Sequence, residues 1–135
     1  DFDPNTMDTL RLINANEVYK WALHTRLPQE HWVSGRVALL GDAIHPMLPF
    51  MGQGAAMAIE DGMILARCLS AMPRFEEAFA TYEKMRRPRA EDLVERSTLM
   101  AGVFLDGPDK YSRVKDYTDQ PTDPSMYDAT SVPLS

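Results

Sequence analysis

Cysteine is nearly absent from this 135-residue chain, which has only Cys68. One thiol cannot close an internal disulfide, so no disulfide framework is available to it. Histidine is scarce as well, with three in all. Asp42 and His45 lie near each other in sequence without a third ligand nearby, and no metal centre is expected. No apolar run reaches the roughly 18 residues of a membrane span, and no charged-then-apolar leader is present. These absences point to a soluble, cytoplasmic protein with no membrane span. Basic residues number 14 against 20 acidic, a net charge of -6, and Lys84, Arg86, Arg87 and Arg89 form the one dense basic cluster. That balance argues against a nucleic-acid or anionic-membrane partner. Also missing is any Gly-x-Gly-x-x-Gly after a strand, the arrangement that grips a dinucleotide pyrophosphate.

What remains is an ordinary globular composition, 44% hydrophobic and 25% charged, enough for one core. Leu10, Ile13 and Val18 predict a short helix within residues 7–19. Residues 18–27 alternate with a period of two, with Tyr19, Trp21, Leu23 and Leu27 on one side, and predict a strand ended by Pro28. After a Ser34-Gly35 turn, Arg36-Val37-Ala38-Leu39-Leu40 reads as a short buried strand of the parallel type, stopped by Gly41. Residues 42–54 contain Pro46, Pro49, Gly52 and Gly54 and form a loop. From Gln53 or Gly54 to Ser70 the apolar residues nearly surround a helix, which therefore needs neighbours on several sides. A second helix has Pro73 in its first turn and carries Phe75, Ala78, Phe79, Tyr82 and Met85 on one face. Pro88 predicts a kink, with helix resuming through Leu93, Val94, Met100 and Phe104. Beyond Gly102 the prolines and aspartates predict an irregular tail on the surface.

The chemistry concentrates where the Val37–Leu40 run meets Gly41-Asp42. A carboxylate at the carboxyl end of a strand suits a sugar-like hydroxyl, and the glycine beside it permits close approach of a ligand. Gly52 and Gly54, just before an apolar helix, leave its first amides uncovered and its positive end turned outward. A carboxylate, a proline turn and a bare helix N-terminus together suit a polyhydroxylated cofactor that becomes anionic during turnover.

Gly41-Asp42, Pro49, Gly52-x-Gly54 and the Glu60-Asp61 helix resemble the second FAD-binding motif of the class A FAD-dependent aromatic monooxygenases, nearest to the salicylate hydroxylases and 6-hydroxynicotinate 3-monooxygenases. The likeness extends to Trp32, Gly35-Arg36, Tyr82-Glu83, Arg86 and Arg89, and reaches toward Tyr127-Asp128. It implies an α/β fold: the C-terminal part of a Rossmann-like FAD/NAD(P)-binding flavoprotein, mostly helical here, with one or two strands. It implies FAD as cofactor, NADH or NADPH as reductant, O2, and a small phenolic or aromatic acid as substrate. Carried over residue by residue, Asp42 would hydrogen-bond the ribitol, Pro49 would border the isoalloxazine, and backbone amides near Gly54, Ala55 and Ala56 would face its pyrimidine edge, with Gly41 and Gly52 also among the cofactor-binding residues. Met47 and Phe50 would lie beside the substrate. The family often has His or Tyr where this chain has Phe50, which removes an acid–base group there, so no catalytic residue is assigned. The ADP-holding glycine motif has no counterpart, so its grip is expected from a preceding portion of the same flavoprotein or from a separate chain.

The implied organisation is the end of a substrate-domain segment over residues 1–34, the C-terminal part of the FAD-binding domain over 35–106, and an irregular tail over 107–135. Plainer roles compete at each position. Asp42 could cap its own turn, and His45 reads as a packed, hydrogen-bonded residue. Glu60 and Asp61 call for pairing with Arg67, Arg86 or Arg89. Trp21, Trp32 and Cys68 read as packing residues, and Met47, Met51, Met57 and Met63 as core filler or pocket wall. The rival reading of the whole chain is a non-catalytic helical interaction fragment that keeps the packing motif without binding FAD.

Overall fold

A computed structural model describes residues 3–106 and 126–134. The chain opens with helix α1 (Pro4–Arg11), started by the Asp3 side chain, which accepts from the amides of Asn5 and Thr6. That cap places the helix earlier than the periodicity of residues 7–19 suggests, and a separate 3₁₀ turn follows at Ala15–Glu17. Leu10, Ile13 and Val18 are all exposed.

Residues 18–27 form no strand. Their alternation has nothing to pair with, because the described residues contain a single sheet of two strands formed elsewhere; a lone strand leaves its ladder groups unsatisfied. Trp21, expected to pack, is 82% exposed. That sheet is an antiparallel hairpin, β1 (Val33–Ser34) with β2 (Val37–Ala38), closed around Gly35-Arg36. The Val37–Leu40 run is therefore not a buried parallel strand: Val37, Leu39 and Leu40 all carry exposed surface. Its apolar character gave the composition of a central strand, but local pairing with β1 is what this chain provides.

Two helices form the body. Helix α2 (Gly54–Ala71) starts and ends close to the expected limits. Helix α3 (Phe75–Asp106) begins two residues beyond Pro73 and runs through Pro88 as one element. A proline inside a helix costs about 3 kcal/mol. Burial on both sides of it offsets that cost: Ala78, Tyr82 and Arg86 precede it, and Ala90, Leu93 and Ser97 follow, all buried. The core lies between α2 and α3, where Met57, Ile64 and Cys68 meet Tyr82, Ala90 and Leu93, with Trp32 and Ile44 closing one end.

The outer face of α2 is uncovered. Ile59 and Leu69 on it are 72% and 45% exposed, and Met63 is 40% exposed, on a stripe continued by the exposed Ala55, Ala56 and Ala66. Of the expected surface tail, residues 107–125 lie outside the described residues. Residues 126–134 dock on the helices instead: Ala129 is buried, and Tyr127, Val132 and Leu134 pack against the core.

Candidate functional site

The hairpin delivers the chain into a 3₁₀ turn at Gly41–Ala43. Gly41 has φ +58°, and a Cβ built on it would stand 3.0 Å from the Cβ of Ala58 on α2. Both the left-handed backbone and the close approach require glycine. The Gly41 carbonyl accepts from the amides of Ile44 and His45, each at 3.0 Å. The turn thus closes on its own backbone and leaves the exposed Asp42 carboxylate out of the capping role.

A second 3₁₀ turn, Pro49–Met51, ends at Gly52, and α2 then starts with no side chain capping it. Its first amides are among the four that every helix leaves without an internal partner. Gly41, Asp42, Met47, Pro49, Gly52, Gly54 and Ala55 all line one open cleft of about 560 Å³. Sequence separation of up to fourteen positions thus collapses to one surface. Ala56 is the next residue along α2, and its side chain does not line the cleft. Phe50 turns away as well, stacking on Phe104 of α3 with ring centroids 5.4 Å apart.

Behind the cleft lies a buried charge network. Asp61, fully buried on α2, accepts from Arg86 Nε at 2.7 Å through one carboxylate oxygen. Its other oxygen accepts from His45 Nε2 at 2.6 Å and from the Gly41 amide at 2.9 Å. Burial works to raise the Asp61 pKa, but the hydrogen bonds from His45, Gly41 and Arg86 prevail and hold it below the ordinary carboxylate range. Arg86 is opposed by the same burial, and Asp61, Tyr127 and Glu60 keep it firmly charged. Glu60 meets Arg89 through two bonds of 2.7 Å and Arg86 at 2.8 Å.

The expected pairing of Glu60 and Asp61 thus falls to Arg86 and Arg89. Arg67 instead donates to the carbonyls of Ala129 and Val132, each at 2.6 Å. His45 is the packed, hydrogen-bonded residue expected, with its ring 5.4 Å from Trp32. Cys68 is buried, and that burial pushes its thiol pKa up.

Helix α3 pins the loops on either side of the cleft. The Tyr82 hydroxyl donates to the Leu39 carbonyl at 2.9 Å, just before Gly41. Burial drives the Tyr82 pKa up, with the Asp61 charge adding to the rise, so the phenol stays a donor. Ser97 donates to the Leu48 carbonyl, just before Pro49. Neither role is visible in the sequence, where Tyr82 reads as one member of an apolar stripe and Ser97 carries no signal.

The turn after the hairpin, the exposed Asp42 carboxylate and the uncapped start of α2 thus face one cleft. Residues 4–97 match the FAD binding domain family, and the chain belongs to it. Among its relatives, the 6-hydroxynicotinate 3-monooxygenase of Pseudomonas fluorescens is 57% identical over 82 residues, covering 58% of this chain and 21% of the relative. The aurachin C monooxygenase/isomerase of Stigmatella aurantiaca is 46% identical over 83 residues, 62% of this chain and 22% of the relative. The 3-hydroxybenzoate 6-hydroxylase of Polaromonas naphthalenivorans is 40% identical over 96 residues, 70% of this chain and 24% of the relative. The resemblance to the FAD-dependent aromatic monooxygenases therefore stands, while the chain spans between a fifth and about a quarter of the length of these relatives. Among the described residues, no helix is long and apolar enough to cross a membrane.

Proposed function

We propose that this chain supplies the ribitol- and pyrimidine-facing half of the flavin site of a cytoplasmic FAD-dependent monooxygenase acting on a small hydroxylated aromatic acid. One observation carries the reading: the Asp42 carboxylate and the uncapped start of α2 face a single cleft. Asp42 would accept from the ribitol hydroxyls, Gly41 beside it would permit close approach of the ligand, and Pro49 would border the ring system. The amides of Gly54, Ala55 and Ala56 would meet the pyrimidine edge; Ala56 serves through its backbone, which its outward side chain does not prevent. A helix start favours negative charge beside it by about 0.3–2 kcal/mol. These residues would hold FAD, which when bound would supply redox chemistry between NADH or NADPH and O2, one oxygen atom entering the aromatic ring and the other leaving as water.

The substrate class is supported by the relatives, whose names specify 6-hydroxynicotinate and 3-hydroxybenzoate. Met47, which lines the cleft, would give this side of the substrate space an apolar wall, and Phe50, turned onto Phe104, would have to leave that stack to join it. The exposed stripe of α2 supports a partner surface for a Rossmann-like portion that carries the ADP grip, either in the same flavoprotein or on a separate chain. Residues 1–34 would then close a substrate domain, and residues 35–106 would complete the FAD-binding domain.

The test is turnover by the full-length protein with NADH, NADPH and labelled O2. Addition of 6-hydroxynicotinate, 3-hydroxybenzoate or a related phenolic acid should stimulate nicotinamide oxidation and place one labelled oxygen atom in the ring product. Flavin-loaded protein that none of these acids stimulates, with either nicotinamide, would refute the substrate class.

A further inference from the structure

The segment at residues 126–134 is clasped to the helices at two points. Arg67 on α2 donates to the carbonyls of Ala129 and Val132. The Tyr127 ring lies 4.1 Å from the Arg89 guanidinium carbon and 5.2 Å from that of Arg86. Between them, Asp128 ties the segment into a compact turn by accepting from the Thr130 amide at 2.9 Å and from the Ser131 hydroxyl at 2.6 Å. The ring is therefore presented to the two arginines from a fixed turn.

Those arginines belong to the network behind the cleft. Arg89 grips Glu60, and Arg86 grips Glu60 and Asp61. Asp61 in turn holds the Gly41 amide, one residue before Asp42. A continuous line of charge-assisted contacts thus runs from Tyr127 to the turn that carries the cleft carboxylate. Arg86 has no exposed surface, and its Nη1 is buried without a hydrogen-bond partner. Asp61, Glu60 and the Met57 sulfur hold its other two nitrogens, and the Tyr127 ring adds a contact that is not a hydrogen bond. An aromatic face within about 6 Å of a desolvated guanidinium is a substantial attraction, and Tyr127 is the ring that provides it.

We propose that Tyr127 is a positioning residue for the Gly41-Asp42 turn, acting through Arg86 and Asp61. Its influence on flavin binding rests on the proposed function; its influence on the turn does not.

Hydrogen exchange of the Gly41 amide in the full-length protein separates the two. Tyr127→Leu fills space without an aromatic face, Tyr127→Ala removes both, and Tyr127→Phe keeps the ring. Loss of the ring should speed Gly41 exchange about tenfold, the scale of a buried cation–π contact, while the Leu93 amide in the core of α3 keeps its protection. Tyr127→Phe, which keeps the ring and loses only the hydroxyl, should stay closer to wild type than Tyr127→Leu in both. FAD affinity should fall in parallel with Gly41 protection. The proposal is overturned if Tyr127→Leu protects Gly41 as well as Tyr127→Phe does, or if Gly41 and Leu93 lose protection together, since either outcome makes the residue mere packing. Should Gly41 respond as expected in a protein that takes up no FAD, the positioning role stands and the flavin reading falls.

Discussion

Replacement of Asp61 by alanine is expected to destabilise the fold by about 3–5 kcal/mol, the cost of removing one partner from a buried ion pair. Arg86 would lose its bond to Asp61 and keep its contacts with Glu60, the Met57 sulfur and the Tyr127 ring, with no exposed surface from which to recruit water. The Gly41 amide and His45 Nε2 would lose their acceptor in the same step. Glu60→Ala should cost less, because Glu60 and Arg89 sit near the surface at 14% and 16% side-chain exposure. The double variant Asp61→Leu/Arg86→Met, which leaves no stranded charge, should be more stable than Asp61→Ala alone. Urea unfolding of the four proteins checks this order, and equal losses for Asp61→Ala and Glu60→Ala would contradict it.

Acid should reveal the same carboxylate. Its pKa in the fold lies below the ordinary value, so the unfolded chain binds the proton more readily. The stabilisation from Asp61 is then complete above the unfolded value of about 4 and lost as pH falls from there through the lower folded value. Asp61→Ala should lack this part of the acid transition.

The second large effect belongs to Gly41. Gly41→Ala should cost the left-handed backbone penalty of about 1–2 kcal/mol and, in addition, the displacement of a methyl group pressed against Ala58. Gly35 isolates the two contributions. It has φ +55°, close to that of Gly41, yet a Cβ there would meet nothing within 4 Å. Gly35→Ala should therefore show the backbone penalty alone, and the excess for Gly41→Ala measures the contact with α2. Because that excess pushes the turn off α2, Gly41→Ala should also weaken FAD binding, whereas Gly35→Ala should not. Equal losses of stability for the two variants would remove the close approach from the account.

Much of this site could be read from residue order. The carboxylate after Gly41, the turn at Pro49 and the glycine-led start of α2 are local features, so their convergence on one cleft followed from short-range chain geometry. The demand of Glu60 and Asp61 for arginine partners was legible too, because a buried carboxylate must be paired. What sequence could not supply was distance. Nothing local sends Arg67 to carbonyls more than sixty positions away, brings Tyr127 over Arg89, or joins His45 to Asp61.

The misread elements fail for a related reason. Val37–Leu40 has the composition of a central strand, and residues 18–27 the alternation of one, but strand identity depends on a partner. At Pro88 the expected resumption of helix is what occurs, since α3 continues as one element to Asp106 with the buried Arg86 and Ala90 on either side of the proline. In both strand segments local preference gave way to the pairing actually available.

The central claim is that the Gly41-Asp42 turn and the start of α2 grip a flavin. Its most direct test is FAD binding by the full-length protein, followed by flavin absorbance and fluorescence, with Asp42→Ala beside the wild type. The account predicts that the wild type holds FAD and that Asp42→Ala, whose exposed side chain is not used in closing the turn, keeps its fold and binds FAD at least about tenfold more weakly, the scale of a lost hydrogen bond to a charged group. A wild-type protein that takes up no FAD, or an Asp42→Ala variant that binds it equally well, would contradict the claim.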